Sequence, residues 1–239
     1  MHTPKKKNKR LQVVGNFGRA LGGDIITEQL VRDYIFPNMG LSEENLIGLK
    51  SHQNYLGELI PDILNWRTTY ILNQPKYFEQ IADAMKLLPK EAANLNRIRL
   101  LIVQNFSYNV FFAVETAKKR LTESLETEIA LPSVGLKLTL TRNDLEKSIH
   151  HYLDLVETSI RSFCTKHGFD PGQIGRVLLT GGTSLIPCIK NRISGLFPDR
   201  VVSIDPFKSV VKGFALGAWL QGQQKITVNG DQTLIDLAI

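Results

Sequence analysis

Three groups of residues in this sequence have the types and spacing that could bind a phosphorylated or nucleoside-like ligand. The first group, Gly181, Gly182, Thr183 and Ser184, follows the apolar run Val177–Thr180 and precedes a predicted helix. Glycines let a ligand approach the backbone, and the amino end of a helix offers free N–H groups and a partial positive charge. In open α/β sheets the ligand crevice lies at the carboxyl ends of the strands, where we expect this turn. A tight turn with a hydroxyl cap is the alternative.

The second group is a glycine cluster, Gly15, Gly18, Gly22 and Gly23, directly before Asp24. Its spacing matches neither the dinucleotide-binding fingerprint nor the P-loop, which also needs a following Lys-Ser or Lys-Thr pair. Taken alone, the cluster therefore indicates a turn before a helix and no particular ligand.

The third group is Glu115, Lys118, Lys119 and Thr122, which lie at i, i+3, i+4 and i+7. This spacing places the four side chains within one arc of a helix surface. They could present an acceptor, two cations and a hydroxyl to a ligand. A solvated face with a weak ion pair is the alternative interpretation.

Other kinds of catalytic and metal site find no support. The sequence contains no Gly-x-Ser-x-Gly nucleophile motif and no zinc-type spacing of Cys or His. His150 and His151 are adjacent on a predicted helix, so their side chains point about 100° apart and cannot chelate one ion together. Cys164 and Cys188 are predicted to be buried free thiols. We therefore predict no catalytic residue and no metal ligand.

The elements around the glycines predict an α/β arrangement. A short strand, Leu11–Val14, precedes the glycine cluster, and a helix from about Asp24 to Phe36 follows it, with Asp24 suited to its amino end. The run Val177–Thr180 predicts a strand buried on both faces, and the helix after it tolerates Pro187 in its first turn. A second buried strand, Arg200–Ile204, and a helix, Ser209–Leu220, follow. This alternation predicts parallel strands covered by helices.

The middle of the chain predicts helices. Prolines and Gly57 divide the segment between residues 41 and 88 into short helical pieces, whose candidate core residues are Trp66, Tyr70, Tyr77 and Phe78. Apolar residues spaced three or four apart from Leu95 to Leu121 predict one long amphipathic helix.

A hairpin and another helix follow this region. Alternating runs around Gly135, Glu128–Leu131 and Leu136–Leu140, predict the hairpin. Thr141 and Asp144 then resemble a capping box, which opens a helix that should end near Gly168.

Composition and charge exclude several classes of protein. The chain has 239 residues, of which 43% are hydrophobic and 22% charged, so it is neither disordered nor disulfide-stapled. Five of its 29 basic residues lie in the first ten positions, and the rest of the chain nearly balances 23 acidic residues despite the net charge of +6. This amino-terminal run is typical of a solvated arm, and nucleic-acid binding is not expected. No transmembrane stretch or signal peptide is predicted, which favours the cytoplasm.

In this order, the three groups resemble the second lobe of the actin-like ATPase superfamily, and in particular the DnaK-type chaperones of the heat shock protein 70 family. The matching segments are Ala20–Asp24, Val114–Thr122 and Leu178–Pro187, and Asp205-Pro206-Phe207 with Ser209–Gly213 resembles the strand and helix that close the lobe. The long stretch between Gly23 and Glu115, with Ile63–Trp66, looks most like the YegD-type members.

The resemblance implies an α/β fold, an actin-like ATPase (ribonuclease H-like) lobe with a mixed sheet flanked by helices, and a mainly helical subdomain. The expected parts are a basic tail (1–10), the α/β subdomain (11–36 and 141–222), the helical insertion with its hairpin (37–140) and a second tail (223–239).

The resemblance also implies roles for the three groups. ATP or ADP would be the ligand. Glu115, Lys118, Lys119 and Thr122 would meet its adenine and ribose edge, and Gly22 and Gly23 would lie near the phosphates. The other side of the nucleoside would contact a set of five residues: Gly181, Gly182, Thr183, Ser184 and Leu185. The family often has an arginine where Leu185 stands, so only apolar contact with adenine is expected here.

The family resemblance further implies a first lobe, which would lie before Met1 and would carry the phosphate loops, the Mg²⁺-orienting aspartates and the catalytic lysine. The expected function is the nucleotide-binding half of a chaperone ATPase, with hydrolysis and Mg²⁺ binding only in a complete two-lobed domain. Unfolded proteins or a separate first-lobe polypeptide are expected partners. An actin-like filament or cell-shape protein and a sugar-kinase-type relative are the alternatives.

Overall fold

The computed structural model describes residues 10–12, 14–19, 21–204, 208–222 and 234–236. Three expectations lie wholly or mostly outside these residues: the basic tail (1–10), the Asp205-Pro206-Phe207 segment, and the second tail (223–239). The chain divides into two compact units, a terminal unit (Met1–Arg19 and Leu153–Ile239) and a central unit (Ala20–Tyr152). The first boundary precedes the helix after the glycine cluster, because that helix contacts the middle of the chain.

Within the described residues, nine α-helices are present: α1 (Gly23–Leu30), α2 (Glu43–Ser51), α3 (Ile60–Leu64), α4 (Pro75–Leu87), α5 (Ala92–Val103), α6 (Ser107–Arg120), α7 (Arg142–Lys166), α8 (Pro187–Leu196) and α9 (Ser209–Gly222). The helix predicted for about residues 24–36 is confirmed, because α1 continues as a π-helical turn, Val31–Ile35. The N-cap of α1 is Gly22, and no side chain makes a capping hydrogen bond there. Asp24 therefore lies in the first turn and does not cap the helix.

Six strands form three separate two-stranded sheets in the described part of the chain: β1 (Arg10–Gln12) with β6 (Leu234–Asp236), β2 (Glu126–Leu131) with β3 (Leu136–Thr141), and β4 (Val177–Leu179) with β5 (Val201–Ser203). The first two pairs are antiparallel and the third is parallel. The parallel pair agrees with the predicted alternation of strands and helices. The mixed sheet that the resemblance implies is therefore present only as separate ladders among these residues.

The core of the central unit is aliphatic. Ile26, Ile98, Val114, Leu140 and Ile149 are fully buried and come from five different elements. The predicted aromatic core is wrong: Tyr70 is 63% exposed, and Trp66, Tyr77 and Phe78 are half-buried. Aromatic and aliphatic residues give the same apolar pattern in a sequence, and here the aliphatic side chains of the neighbouring helices fill the interior.

The single long helix predicted between residues 95 and 121 is also wrong, because α5 and α6 are separate helices. Asn105 lies between them with a φ of 53°, a left-handed conformation that Asn adopts more readily than most residues. The amide of Phe106 donates to the carbonyl of Leu101, which closes the end of α5. The apolar periodicity continues across the break because both helices bury the face that carries it, including Leu95, Val110 and Leu121.

Two local predictions in the central unit are confirmed. The hairpin has the register Leu131↔Leu136, and Gly135 in its connection has a φ of 62°. The capping box at α7 is complete, because the backbone N–H of Thr141 donates to Asp144 at 2.9 Å and the N–H of Asp144 donates to the Thr141 hydroxyl at 3.1 Å. Both motifs span only a few residues, and local rules specify them.

The terminal unit has a smaller interior, to which Cys164, Ile186, Ile193 and Phe197 contribute. The Arg192 side chain joins α8 to α7 through ion pairs of 2.9 Å with Asp154 and Glu157. The prediction that Val177–Thr180 is buried on both faces is wrong, since the side chain of Leu178 is 56% exposed. Of the two thiols predicted to be buried, Cys164 is buried and Cys188 is only half-buried; neither forms a disulfide.

Candidate functional site

The central unit brings the second and third groups of residues together. α6 runs beside α1 and carries Glu115 and Lys118 on the side that faces the amino end of α1. The Gly23 carbonyl at that end accepts a hydrogen bond from the ammonium of Lys118 at 2.8 Å. Residues 95 positions apart are thus in direct contact.

Lys118 is a buried cation with three neighbouring acceptors. Its side chain donates to the Gly23 carbonyl, to the Thr27 hydroxyl at 3.0 Å and to Oε2 of Glu115. A lysine ammonium has three protons, so every one of them has an acceptor within the central unit. A buried charge needs such pairing because it has lost its water. Lys118 thereby ties α6 to the first turn of α1.

Thr27 completes this network, and sequence patterns did not identify it. Its hydroxyl, on a residue with no exposed surface, lies 2.9 Å from the Gly23 carbonyl and 2.8 Å from Oε2 of Glu115. The one local signal is its position four residues after Gly23, where a helical Thr can bond to the preceding carbonyl. Its contact with Glu115 depends on the tertiary fold and leaves no trace in the sequence.

The electrostatics of the network favour an ionised Glu115. Burial raises the pKa of Glu115, but hydrogen bonds from Lys118 and Thr27 outweigh burial and hold that pKa below its ordinary value. Lys119 adds an ion pair of 3.2 Å to Oε1 of the same carboxylate, and its side chain is 70% exposed. Glu115 therefore offers an ionised acceptor at the surface beside an accessible ammonium.

Thr122, the remaining residue of the third group, has a local structural role. The Thr122 hydroxyl donates to the Lys119 carbonyl at 2.7 Å, at the carboxyl end of α6.

Gly22 is the N-cap of α1, and a Cβ placed there would meet no atom within 4 Å. Gly15, from the same glycine cluster, lies in the terminal unit, where a Cβ would lie 2.8 Å from the His167 ring. Close packing explains that glycine without a ligand.

The first group forms one turn in the terminal unit, after β4. Gly181 has a φ of 86°, which favours glycine, and a 3₁₀ turn from Gly182 to Leu185 follows it. α8 begins only at Pro187, and its N-cap is Ile186, so neither Thr183 nor Ser184 caps this helix. The Ser184 hydroxyl instead donates to the Gly181 carbonyl at 2.7 Å.

This turn leaves room for a ligand. A Cβ at Gly182 would meet no atom within 4 Å, and Gly182 does not have a left-handed φ. Leu185 is 45% exposed, whereas the neighbouring Ile186 is buried. The turn therefore presents an unobstructed backbone and one apolar side chain to solvent.

The described residues contain no group of three or more His, Cys, Asp or Glu side chains that could hold a metal ion. Within the same residues, no helix is both long and apolar enough to cross a bilayer.

Comparison with known proteins identifies relatives of this chain. The family model described as "Hsp70 protein" matches residues 96–237, more than half of the chain and a range that includes α6 and the Gly181 turn. The chain is 30% identical over 138 residues to "Chaperone protein DnaK" of Mycoplasmoides gallisepticum. It is 31% identical over 137 residues to the protein of the same name from Mycoplasma mycoides subsp. mycoides. These matches cover 53% and 52% of this chain and 23% of each relative, about a quarter of their length.

Proposed function

Because the chain belongs to the Hsp70 family, a membership that implies the actin-like ATPase fold, we propose that it is the nucleotide-binding half of an Hsp70-like molecular chaperone, with ATP or ADP as its ligand. The observation that carries the proposal is the contact of Lys118 with Gly23, which joins the glycine turn to the polar face of α6. Two groups with separate signals in the sequence thereby share one place in the central unit.

Each residue of this place has a proposed role that suits its chemistry. The ionised Glu115 accepts hydrogen bonds from the ribose hydroxyls, and the exposed ammonium of Lys119 lies beside it as a cationic contact. Thr122 adds a hydroxyl at the same end of α6. Gly22 and Gly23 lie near the phosphates, where the free N–H groups at the amino end of α1 favour an anion.

For the Gly181 turn of the terminal unit, taken by itself, we propose the nucleoside contacts that the family resemblance implies. Gly181, Gly182 and Thr183 approach the nucleoside with backbone atoms, Ser184 fixes the turn from within, and Leu185 provides an apolar contact for adenine. This surface has no cation of its own in the turn, so the binding energy comes from shape and apolar burial.

The proposal extends to the whole protein. Hydrolysis and Mg²⁺ binding belong to a complete two-lobed domain, because phosphoryl transfer needs a metal, a phosphate cradle and a positioned water together. Unfolded proteins and a first-lobe polypeptide are the proposed partners, and the cytoplasm is the proposed location. We further propose a YegD-type relationship on the basis of the long helical insertion before α5.

Calorimetric titration of adenosine, ADP and ATP into the chain tests the proposal. Gly182→Val should weaken adenosine binding at least about tenfold, because the new side chain would occupy the space for the ligand and not a space within the fold. Gly175→Val is the matched control, since a Cβ there also meets no atom within 4 Å and Gly175 lies outside the turn. The control should bind like the wild type.

A second pair of variants examines α6. Glu115→Gln should weaken binding of all three ligands, and Glu123→Gln, an exposed carboxylate beyond the end of the same helix, should not. Circular dichroism confirms that each variant is folded. Absence of adenosine-dependent heat at millimolar ligand, or equal binding by Gly182→Val and Gly175→Val, would contradict the proposal.

A further inference from the structure

Two adjoining pockets open on the surface of the central unit, on either side of the segment that follows α2. The larger has a volume of about 540 Å³ and reaches α4, and the smaller has a volume of about 270 Å³ and reaches α2. Asn54, Tyr55 and Glu58 line both, so we treat them as one depression, the Tyr55 groove. The groove lies before residue 96, outside the range of the family match, and none of the proposed nucleotide contacts lines it.

The ridge between the two pockets is held in a fixed conformation. The side chain of Asn54 is buried, donates to the Gln80 carbonyl at 2.8 Å and accepts from the Leu56 N–H at 3.1 Å. These bonds connect the ridge to α4 and to the turn after Tyr55. Because the ridge is preformed, little conformational entropy is lost in this segment when a partner binds.

Apolar side chains are exposed along the groove. Ile47, Tyr55 and Leu87 all line it and are 65%, 45% and 38% exposed. Apolar and aromatic side chains that a partner can bury are the usual anchors of protein interfaces. The smaller pocket supplies Ile47 and the larger one Leu87, with Tyr55 between them.

The charge of the groove is negative although the chain is basic. Four carboxylates line the groove, those of Glu43, Glu58, Glu79 and Asp83, against the ammonium groups of Lys50 and Lys76. Asp83 already pairs with Lys86 at 2.8 Å. Among the described residues, the side-chain carboxylates of Glu58 and Glu79 have neither an ion pair nor a hydrogen bond, so both are available. The net charge of the whole chain is +6, which does not favour general binding of cations.

The walls of the groove restrict the backbone of a partner. α2 and α4 are helices, whose N–H and C=O groups bond within each helix, so neither wall offers a strand edge. An extended segment in the groove would keep unpaired backbone groups as it lost water. A helical segment satisfies its own backbone and contributes only side chains.

We propose that the Tyr55 groove binds an amphipathic helix of a partner protein, with apolar side chains on one face and Arg or Lys at the margins of that face. The apolar face covers Ile47, Tyr55 and Leu87, and the cations pair with Glu58 and Glu79. This interaction does not require a bound nucleotide.

Fluorescence anisotropy with a labelled synthetic peptide tests the proposal. The probe is an alanine-based helix of about 18 residues, since shorter isolated helices are marginal in water, with leucines along one face and arginines beside them. The first control peptide carries glutamates in place of the arginines. The second has the same composition as the probe, but its residues are ordered so that the helix has no apolar face. We expect micromolar binding of the first peptide, weaker at high salt, and no measurable binding of the other two.

Variants of the chain locate the binding. Glu58→Gln with Glu79→Gln should weaken binding of the arginine peptide about tenfold, and Tyr55→Ala should weaken it by a similar factor. The matched control is Glu123→Gln with Glu126→Gln, two exposed carboxylates elsewhere in the central unit, which should change the affinity less than about twofold. All of these side chains lie at the surface, and circular dichroism checks that each variant is folded.

Three outcomes would overturn the proposal. They are no binding of the arginine peptide, binding of either control peptide as tight as that of the arginine peptide, and wild-type affinity for the arginine peptide in the groove variants. Nucleotide binding is measured separately on the same variants. Loss of peptide binding with unchanged nucleotide binding separates this groove from the proposed nucleotide site.

Discussion

Lys118 shows how one side chain can serve the fold and a candidate site together. Lys118 is only 6% exposed, and its ammonium donates to three acceptors on α1 and α6. Sequence spacing correctly grouped Lys118 with Glu115 but could not show that the lysine points inward, because its acceptors on α1 come from 91 and 95 positions earlier. Helical spacing predicts which residues share a face and does not predict what covers that face.

Lys118→Met should lower the free energy of unfolding of the central unit by about 2 kcal/mol, because it leaves the Gly23 carbonyl, Thr27 and Glu115 without their common donor. Lys119→Met is the control. Its ammonium pairs with the same carboxylate but is 70% exposed, so we expect a loss below about 0.5 kcal/mol. Urea unfolding followed by the fluorescence of Trp66 measures both, and equal losses would show that the buried network is not special.

The lowered pKa of Glu115 has a defined effect on acid stability. A carboxylate whose pKa is lower in the folded chain than in the unfolded chain stabilises the fold above the unfolded pKa, about 4.3, and this contribution disappears as the pH falls through the folded value. We expect Glu115→Gln to make the free energy of unfolding less dependent on pH as the pH falls below the unfolded pKa. Glu123→Gln should keep the wild-type slope in the same urea titrations, and an unchanged slope in Glu115→Gln would contradict the assignment.

At the scale of elements, motifs that depend on neighbouring residues were predicted well, and the break between α5 and α6 was not. The hairpin around Gly135 and the Thr141–Asp144 capping box depend on neighbouring residues, so the sequence contains all that specifies them. The break between α5 and α6 depends on Asn105, whose left-handed conformation is one option among several for Asn. The apolar period persists through the break, and periodicity alone therefore predicts one helix.

α6 begins with a residue that weakens the element. Ser107 is 4% exposed, and its hydroxyl has no hydrogen-bond partner in the described part of the chain. It faces a small cavity between apolar side chains of Val31, Phe36 and Leu101. A buried hydroxyl without a partner costs about 1–3 kcal/mol, so its removal should stabilise the unit.

We expect Ser107→Ala to raise the free energy of unfolding by about 1 kcal/mol in chemical denaturation. Ser148→Ala is the opposite case, because the Ser148 hydroxyl donates to Asp33 at 2.6 Å and is also buried. That variant should lose about 1–2 kcal/mol. A loss of stability in Ser107→Ala of the same size would mean that the Ser107 hydroxyl is satisfied in solution.

At the scale of the whole molecule, the sequence gives the fraction of apolar residues but does not show which apolar side chains are exposed. In the terminal unit, the strand residue Leu178 and the helix residues Val211, Phe214 and Trp219 are all more than half exposed. α9 carries a single charged residue, Lys212. A helix of this composition is normally buried against other elements, so its exposed side chains form an apolar surface on the terminal unit that could bind another apolar molecule.

This surface should be detectable with the dye ANS. We expect the chain to bind ANS at neutral pH, and the double variant Val211→Lys, Phe214→Lys to lose most of the dye fluorescence while thermal unfolding is unchanged, because both side chains are already exposed. Leu125→Lys, at a residue 72% exposed in the central unit, is the control and should retain the signal. Equal fluorescence of the double variant and the wild type would place the dye elsewhere.

The neighbouring lysines of α6 also differ as chemical nucleophiles. An acylating reagent needs room to approach the amine, and Lys118, which is buried and donates to three acceptors, does not offer it. Lys119, one position later, has a side chain that is 70% exposed, so a reagent can reach it. Acetylation at this pair would therefore reach Lys119, remove its charge beside Glu115 and leave the connection between α6 and α1 intact.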